Sequence, residues 1–217
     1  MNIIFSSCGN DSVALIQWAI ENGLDDLVVA YSNTKWSSKG WPKRVRKVKD
    51  FVELNNGTFH EISSEGMASL TKRKKAFPAN GMGFCSYELK IKPAMDWLER
   101  IDPDKKATCF TGIMRIESEN RKNYPEITKD SPNHGGRSLV CPMVAFTLKQ
   151  RNDLLKRAGF ETLKGRSKEC SPCINITLKE IQELPERDII KVVNLELELG
   201  VGERSGKPKY MFRPHGS

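Results

Sequence analysis

No stretch of the 217 residues approaches the roughly 18 uninterrupted apolar residues that a membrane-crossing helix requires. The N-terminus shows only Ile3-Ile4-Phe5 before Ser6-Ser7, without a basic segment or a longer apolar one. No secretory leader is legible, and a cytoplasmic protein with no membrane partner is expected. No internal repeat is found. Acidic residues are in deficit, 27 against 35 lysines and arginines, which leaves a formal charge of +8. A surplus of that sign favours polyanionic partners such as nucleic acid, nucleotides or acidic carriers, without choosing among them. Much of it lies in Lys43-Arg44-Val45-Arg46-Lys47-Val48-Lys49 and Lys72-Arg73-Lys74-Lys75. Each run reads equally well as a solvated surface or as a nucleic-acid contact. None of the six cysteines lies beyond Cys173. In a cytosolic chain they point to metal binding, redox chemistry or burial, and away from a disulfide framework.

What is present describes a globular protein, with 38% apolar and 29% charged residues. The length suits a single domain over residues 1–200, followed by a basic tail at 201–217. Asn2-Ile3-Ile4-Phe5 reads as a strand, and Val13, Leu15, Ile16, Trp18, Ala19 and Ile20 recur with helical spacing after it. Leu27 to Tyr31 is strand-like, Pro42 to Asn55 helical, and Thr58 to Ile62 strand-like again. Residues 63–83 are polar, basic and glycine-bearing, which predicts a long mobile connection or lid. A helix over Leu89 to Ile101, strands at 107–113 and 138–143, and helices capped by Thr147 and Thr177 follow, the last reaching towards Gly200. Strands alternating with helices predict an α/β protein with a parallel sheet covered on both faces.

Ser7-Cys8-Gly9-Asn10-Asp11-Ser12 falls where a strand gives way to a helix. Short residues there let backbone N–H groups close around an anion, and the helix start behind them adds positive potential. Ser7 and Ser12 offer hydroxyls to phosphate oxygens. Asp11 repels an anion unless it caps the helix or faces a magnesium ion.

The hexamer resembles the Ser-Gly-Gly-x-Asp-Ser pyrophosphate loop of the PP-loop adenine nucleotide alpha-hydrolases, the superfamily that includes phosphoadenosine phosphosulfate (PAPS) reductases. Cys8 stands where those proteins have their first glycine, and a cysteine is strained there if the turn needs positive φ. Asn33-Thr34 resembles their Asp-Thr-Gly, with Asn33 in place of the acid. Cys85 to Pro93, Thr111 to Arg121, Cys141 to Thr147, and Gly159-Phe160 followed by Cys170-Ser171-Pro172-Cys173-Ile174-Asn175 are similar to further segments of the PAPS-reductase branch, in the same order. The resemblance implies a Rossmann-like fold of the HUP type and a site for ATP, PAPS or adenosine phosphosulfate (APS) with Mg2+. On that basis Ser7, Gly9, Asn10, Ser12, Asn33, Thr34, Lys90, Gly112 and Arg121 bind nucleotide, while Asp11, Arg115 and Cys8 act in the chemistry. Glu117 and Ser118 hold the arginine segment.

The resemblance also implies that Cys85, Cys170 and Cys173 ligate a [4Fe-4S] cluster. Ser86 stands where cluster-bearing reductases have a second cysteine, so the fourth ligand is open, or falls to Cys8, Cys109 or Cys141. Zinc with His134 or His60 is the alternative. The reductases' tail nucleophile, in a Glu-Cys-Gly-Leu-His segment, has no counterpart after Cys173. That favours relatives that adenylate an acceptor and transfer sulfur to it, with DNA, tRNA or a small molecule as acceptor and a sulfur-donor protein as partner. A reductase using a thiol outside the tail, and a non-catalytic nucleotide- or nucleic-acid-binding module, are the alternatives.

Overall fold

The computed structural model of the protein describes residues 1–79, 83–202 and 206–212. Strands β1 (Asn2–Ser6), β2 (Leu27–Asn33), β3 (Thr58–Ser63), β4 (Thr108–Phe110), β5 (Ile127–Ser131) and β6 (Arg137–Val140) form one sheet in the order β3-β2-β1-β4-β6-β5. All neighbouring pairs are parallel except β5 with β6. The chain builds outward from β1 to β3, then crosses back to place β4 on the other side of β1. That reversal opens a crevice at the carboxyl ends of β1 and β4, where ligands of open α/β sheets bind.

Ile3 and Ile4 are both fully buried although they point to opposite faces, because helices cover each side of β1. On one face, α1 (Asn10–Glu21), α2 (Trp41–Leu54) and α6 (Leu148–Arg157) pack Val13, Leu15, Ile16, Val48, Val52, Leu154 and Leu155 around Ile4. On the other, α5 (Lys92–Ile101) sets Ala94, Trp97 and Leu98 against Ile3 and Ala30. A third cluster joins Trp36, Met67, Leu70, Leu89, Val192, Leu195 and Met211. It gathers α3 (Met67–Lys74), the helical turns α4 (Phe84–Ser86) and Tyr87–Ile91, and α8 (Glu186–Leu199) into a corner beyond the strand ends.

The structure departs from the sequence pattern in several places, among them the strand read across 138–143, which ends at Val140. The connection expected over 63–83 contains α3, which buries Met67, Leu70 and Thr71. Its basic last turn hides the apolar period. Asn80, Gly81 and Met82 lie outside the described residues. The strand read across 107–113 ends at Phe110. β5 was not expected, because as an edge strand it reads Ile-Thr-Lys-Asp-Ser with little apolar alternation. The final helix is broken by Pro185 into α7 (Leu178–Gln182) and α8. Beyond Gly200, the Lys209 amide donates to Gly200 O (3.1 Å) and the Met211 amide to Glu196 Oε1 (2.8 Å). Residues 206–212 thereby fold back along α8.

Arg137 anchors β6. It is 1% exposed and donates from Nε to Asp102 Oδ2 (2.6 Å), from Nη1 to Glu99 Oε1 (3.1 Å) and from Nη2 to Leu98 O (3.2 Å). Among the described residues, no helix is long and apolar enough to cross a membrane.

Candidate functional site

β1 ends at Ser6 and α1 begins at Asn10, so three residues make the turn. Cys8 takes φ 58°. That left-handed conformation costs an L-residue about 1–2 kcal/mol, and it is the positive φ a glycine accepts freely. The serine hydroxyls order the loop amides. Ser6 Oγ accepts from Cys8 N–H (3.0 Å), Ser7 Oγ from Gly9 N–H (3.2 Å) and Ser12 Oγ from Ser7 N–H (3.1 Å). Behind them the first-turn amides of α1 have no intrahelical acceptor, and no side chain caps them. A concentration of N–H donors and hydroxyls at a helix start suits an anion.

Four more loop contacts come from distant segments. A Cβ on Gly9 would meet Ser167 Cβ and Ser7 Oγ at 3.0 Å, so the glycine permits residues around 167 to cross the loop. Asn10 donates from Nδ2 to Leu163 O (2.9 Å) and accepts from Leu163 N–H (3.0 Å), a two-point staple on that same segment. Asp11 forms no cap, contrary to one of its two expected roles. Its carboxylate pairs with Arg151 of α6 at 2.8 Å, which offsets its charge beside the loop. A Cβ on Gly112 would lie 2.8 Å from Asp11 O and 3.0 Å from its carbonyl carbon. Only glycine lets the segment after β4 pass that close to α1.

The remaining nucleotide candidates have partners of their own. Asn33 donates from Nδ2 to Glu61 Oε1 (2.7 Å), and its Oδ1 accepts from the Lys35 amide (2.8 Å). Thr34, 1% exposed, donates to Glu169 O (2.8 Å). Arg115 reaches Tyr124 O through Nε (3.0 Å) and Nη2 (2.9 Å). Arg121 pairs with Glu117, whose Oε2 also accepts from the Met114 amide (3.0 Å). The arginines therefore lie on local partners and do not converge on the loop. Ser118 connects the two 3-10 turns Arg115–Glu117 and Glu119–Arg121. Lys90 pairs with Glu169; burial opposes its charge, but that pairing holds its pKa above the ordinary value.

Lys90 stands among cysteines. Cys85 sits in α4, and Cys170 and Cys173 flank a loop tied to Trp36 and α8. The Ser171 amide donates to Trp36 O (2.7 Å), the Trp36 indole to Pro172 O (3.1 Å), and Ser171 Oγ to Asp188 Oδ2 (3.0 Å). Burial pushes the Cys170 thiol up to about 12; Lys90 pulls the other way, while Cys173 and Cys85 reinforce the rise. Burial raises the Cys85 thiol too, again with Cys173 adding to it. The three sulfurs thus lie in one another's field, and none is in a disulfide. As soft donors they match an iron–sulfur cluster in kind. Among the described residues, however, no group of three or more His, Cys, Asp or Glu side chains stands in a metal-holding arrangement.

The proposed completions of that set are committed elsewhere. His60 stacks on Trp97 (5.1 Å between centroids), and His134 Nδ1 bonds Ser131 Oγ (2.8 Å). Cys109 and Cys141 are buried in the core beside Ile3. Cys8 is fully buried, and burial pushes its thiol up to about 12.

Three contributors carried no clear sequence signal. Glu169 joins the two halves of the site, since its field reaches Cys8 and Cys170 while it pairs with Lys90. Arg151 looked like an ordinary helix residue. Arg44 lay within a basic run, yet its Nε donates to Cys8 O (2.7 Å). A separate cleft of about 740 Å³ lies between β3 and α5, lined by His60, Glu61, Glu65, Arg73 and Trp97 among others. No residue of the loop or of the 111–121 segment lines it, so the crevice at β1 and β4 remains the candidate site.

No protein-family model and no curated protein matches the sequence. Among solved structures, the chain is similar to the PAPS reductase from Candida auris in its phosphate complex. The identity is 11%, over 74% of this chain and 74% of that one, with a TM-score of 0.53. It is also similar to the U34-tRNA thiolase NcsA from Methanococcus maripaludis with its [4Fe-4S] cluster, at 13% identity over 91% of this chain and 67% of that one, also with a TM-score of 0.53. The chain shares their Rossmann-like fold.

Proposed function

We propose that the crevice binds ATP with Mg2+, cleaves it between the α- and β-phosphates, and activates an oxygen of an acceptor as its adenylate for sulfur transfer. The observation that carries this reading is the seating of Gly112 on the Asp11 carbonyl at the strand reversal. It joins the loop of residues 7–12 to the 111–121 segment, two motifs about a hundred residues apart in sequence. In this reading the α1 amides with Ser7 and Ser12 hold the phosphates, and Asp11 turns from Arg151 to the magnesium ion. Arg115 exchanges a neutral carbonyl for the charge that develops on pyrophosphate. Asn33 and Thr34 shape the nucleotide side of the crevice, with Lys90 and Arg121 as further cations near its mouth.

The acceptor oxygen attacks the α-phosphorus and pyrophosphate leaves; a sulfur nucleophile then displaces AMP. Cys8, buried and protonated, serves the shape of the loop in this scheme, and the sulfur side falls to the corner of Cys85, Cys170 and Cys173. Those three would hold the cluster, whose chemistry is the binding of sulfide for transfer. The surplus of positive charge supports a nucleic acid, DNA or tRNA, as acceptor, with a sulfur-donor protein as partner. The test is an assay of Mg2+-dependent ATP binding and pyrophosphate release with nucleic-acid acceptors, alongside iron and sulfide content after anaerobic purification. A protein that neither binds ATP nor releases pyrophosphate refutes the reading.

A further inference from the structure

We infer that Arg44 is the positioning residue of the nucleotide loop: it holds the Cys8 carbonyl so that a cysteine keeps the left-handed conformation a glycine would adopt unaided. The inference rests on the proposed nucleotide site.

Both backbone groups of the strained residue are tied. The Cys8 amide donates to Ser6 Oγ at 3.0 Å, and its carbonyl accepts from Arg44 Nε at 2.7 Å. In a trans peptide the C=O and the following N–H point in opposite directions. Turning Cys8 O towards α2 therefore turns Gly9 N–H to the other side, where it meets Ser7 Oγ at 3.2 Å and where Ser12 Oγ also lies. Without that hold the Cys8–Gly9 peptide is free to relax out of the left-handed region and to take the Gly9 donor away from the phosphate side.

Arg44 is an improbable residue to keep here for any other purpose. Its Nη2 is buried without a partner, and among the described residues no carboxylate pairs with it. What offsets its desolvation is the Cys8 carbonyl and two ring faces, Phe160 at 5.4 Å and Trp41 at 5.9 Å. Packing of α2 against residues 159–160 is already supplied by Lys47, which lies 4.3 Å over the Phe160 ring and donates to Gly159 O at 2.6 Å. A half-buried guanidinium with one hydrogen bond, and that bond to the left-handed residue of the loop, marks its task.

A double-mutant cycle tests this. Arg44→Met in the parent weakens ATP binding about tenfold, the size expected for one charge-assisted hydrogen bond. In a Cys8→Gly background, where the turn needs no restraint, the same substitution weakens binding by under about twofold. Arg44→Lys, which keeps the charge and a donor, falls between. Equal losses in both backgrounds would mean that Arg44 contributes only charge, and no loss in either would mean that it does nothing; each overturns the inference. Should the parent bind no ATP, the proposed function fails, and the cycle is then read on the free protein. Arg44→Met speeds labelling of the Cys8 thiol in the native state and lowers the unfolding midpoint more in the parent than in Cys8→Gly. An unchanged labelling rate with independent midpoints overturns it.

Discussion

Arg137 is buried and Arg44 half-buried, and the two guanidinium groups are treated in opposite ways. Arg137 spends its guanidinium on two carboxylates and on backbone carbonyls, so its charge is neutralised and its donors are filled. Arg44 has one carbonyl, two aromatic faces and an unfilled arm. A fully satisfied buried cation is a strut, which ties β6 to the end of α5. An under-satisfied one beside a strained turn is kept for what it does to that turn. Desolvation alone does not tell the two apart; the list of acceptors does.

The contrast can be broken or sharpened at several points. Arg137→Met strands Asp102 and should destabilise the protein by about 3–5 kcal/mol in chemical unfolding, leaving nucleotide affinity of the folded fraction unchanged. An equal loss of affinity would show that the far end also shapes the crevice. Lys90→Met leaves Glu169 without its cation and should cost about 1–3 kcal/mol of stability, with a matching fall in bound iron after anaerobic preparation. Ser12→Ala removes the acceptor of the Ser7 amide. We expect ATP affinity to drop about five- to tenfold with the unfolding midpoint nearly unmoved, a difference set by one hydrogen bond. A large midpoint shift would make Ser12 a strut like Arg137.

A further effect is one of pH. Burial lowers the pKa of His134 from 6.5 to about 4. The unfolded chain takes up a proton near the ordinary value while the folded protein resists until about 4. Stability is therefore complete above about 6.5 and declines as the pH falls towards 4. Asp102 acts in a lower window. Burial raises its pKa, but the Arg137 bond and the Ala107 and Lys106 amides outweigh that and hold it below its ordinary value. Its contribution is present above that value and is lost as the pH falls through the depressed one. A His134→Gln variant should flatten the upper decline alone.

The loop was legible because its signal is compressed: strand, turn and helix start within a dozen residues, each with a local rule behind it. The alternation of strands and helices was legible for the same reason. α3 was hidden because Lys72, Arg73 and Lys74 fill the turn where its apolar period would show. β5 was hidden because an edge strand has little to bury. Arg151, Glu169 and Arg44 act across 140, 79 and 36 residues of sequence respectively, and no local pattern marks an ion pair at such a distance. The arginines of the 111–121 segment are legible as cations, but their partners in the fold, Tyr124 O and Glu117, are not.

The stretch from Leu163 to Cys170 is fastened at both ends, by Asn10 at the start of α1 and by the strand-like pairing of Trp36 with Cys170. Its contour length is therefore a gauge that fixes how far the thiols stand from the turn. Residues could be exchanged along it, but adding or deleting even one would move one anchor off its mark, so tolerance to substitution and intolerance to indels should diverge there.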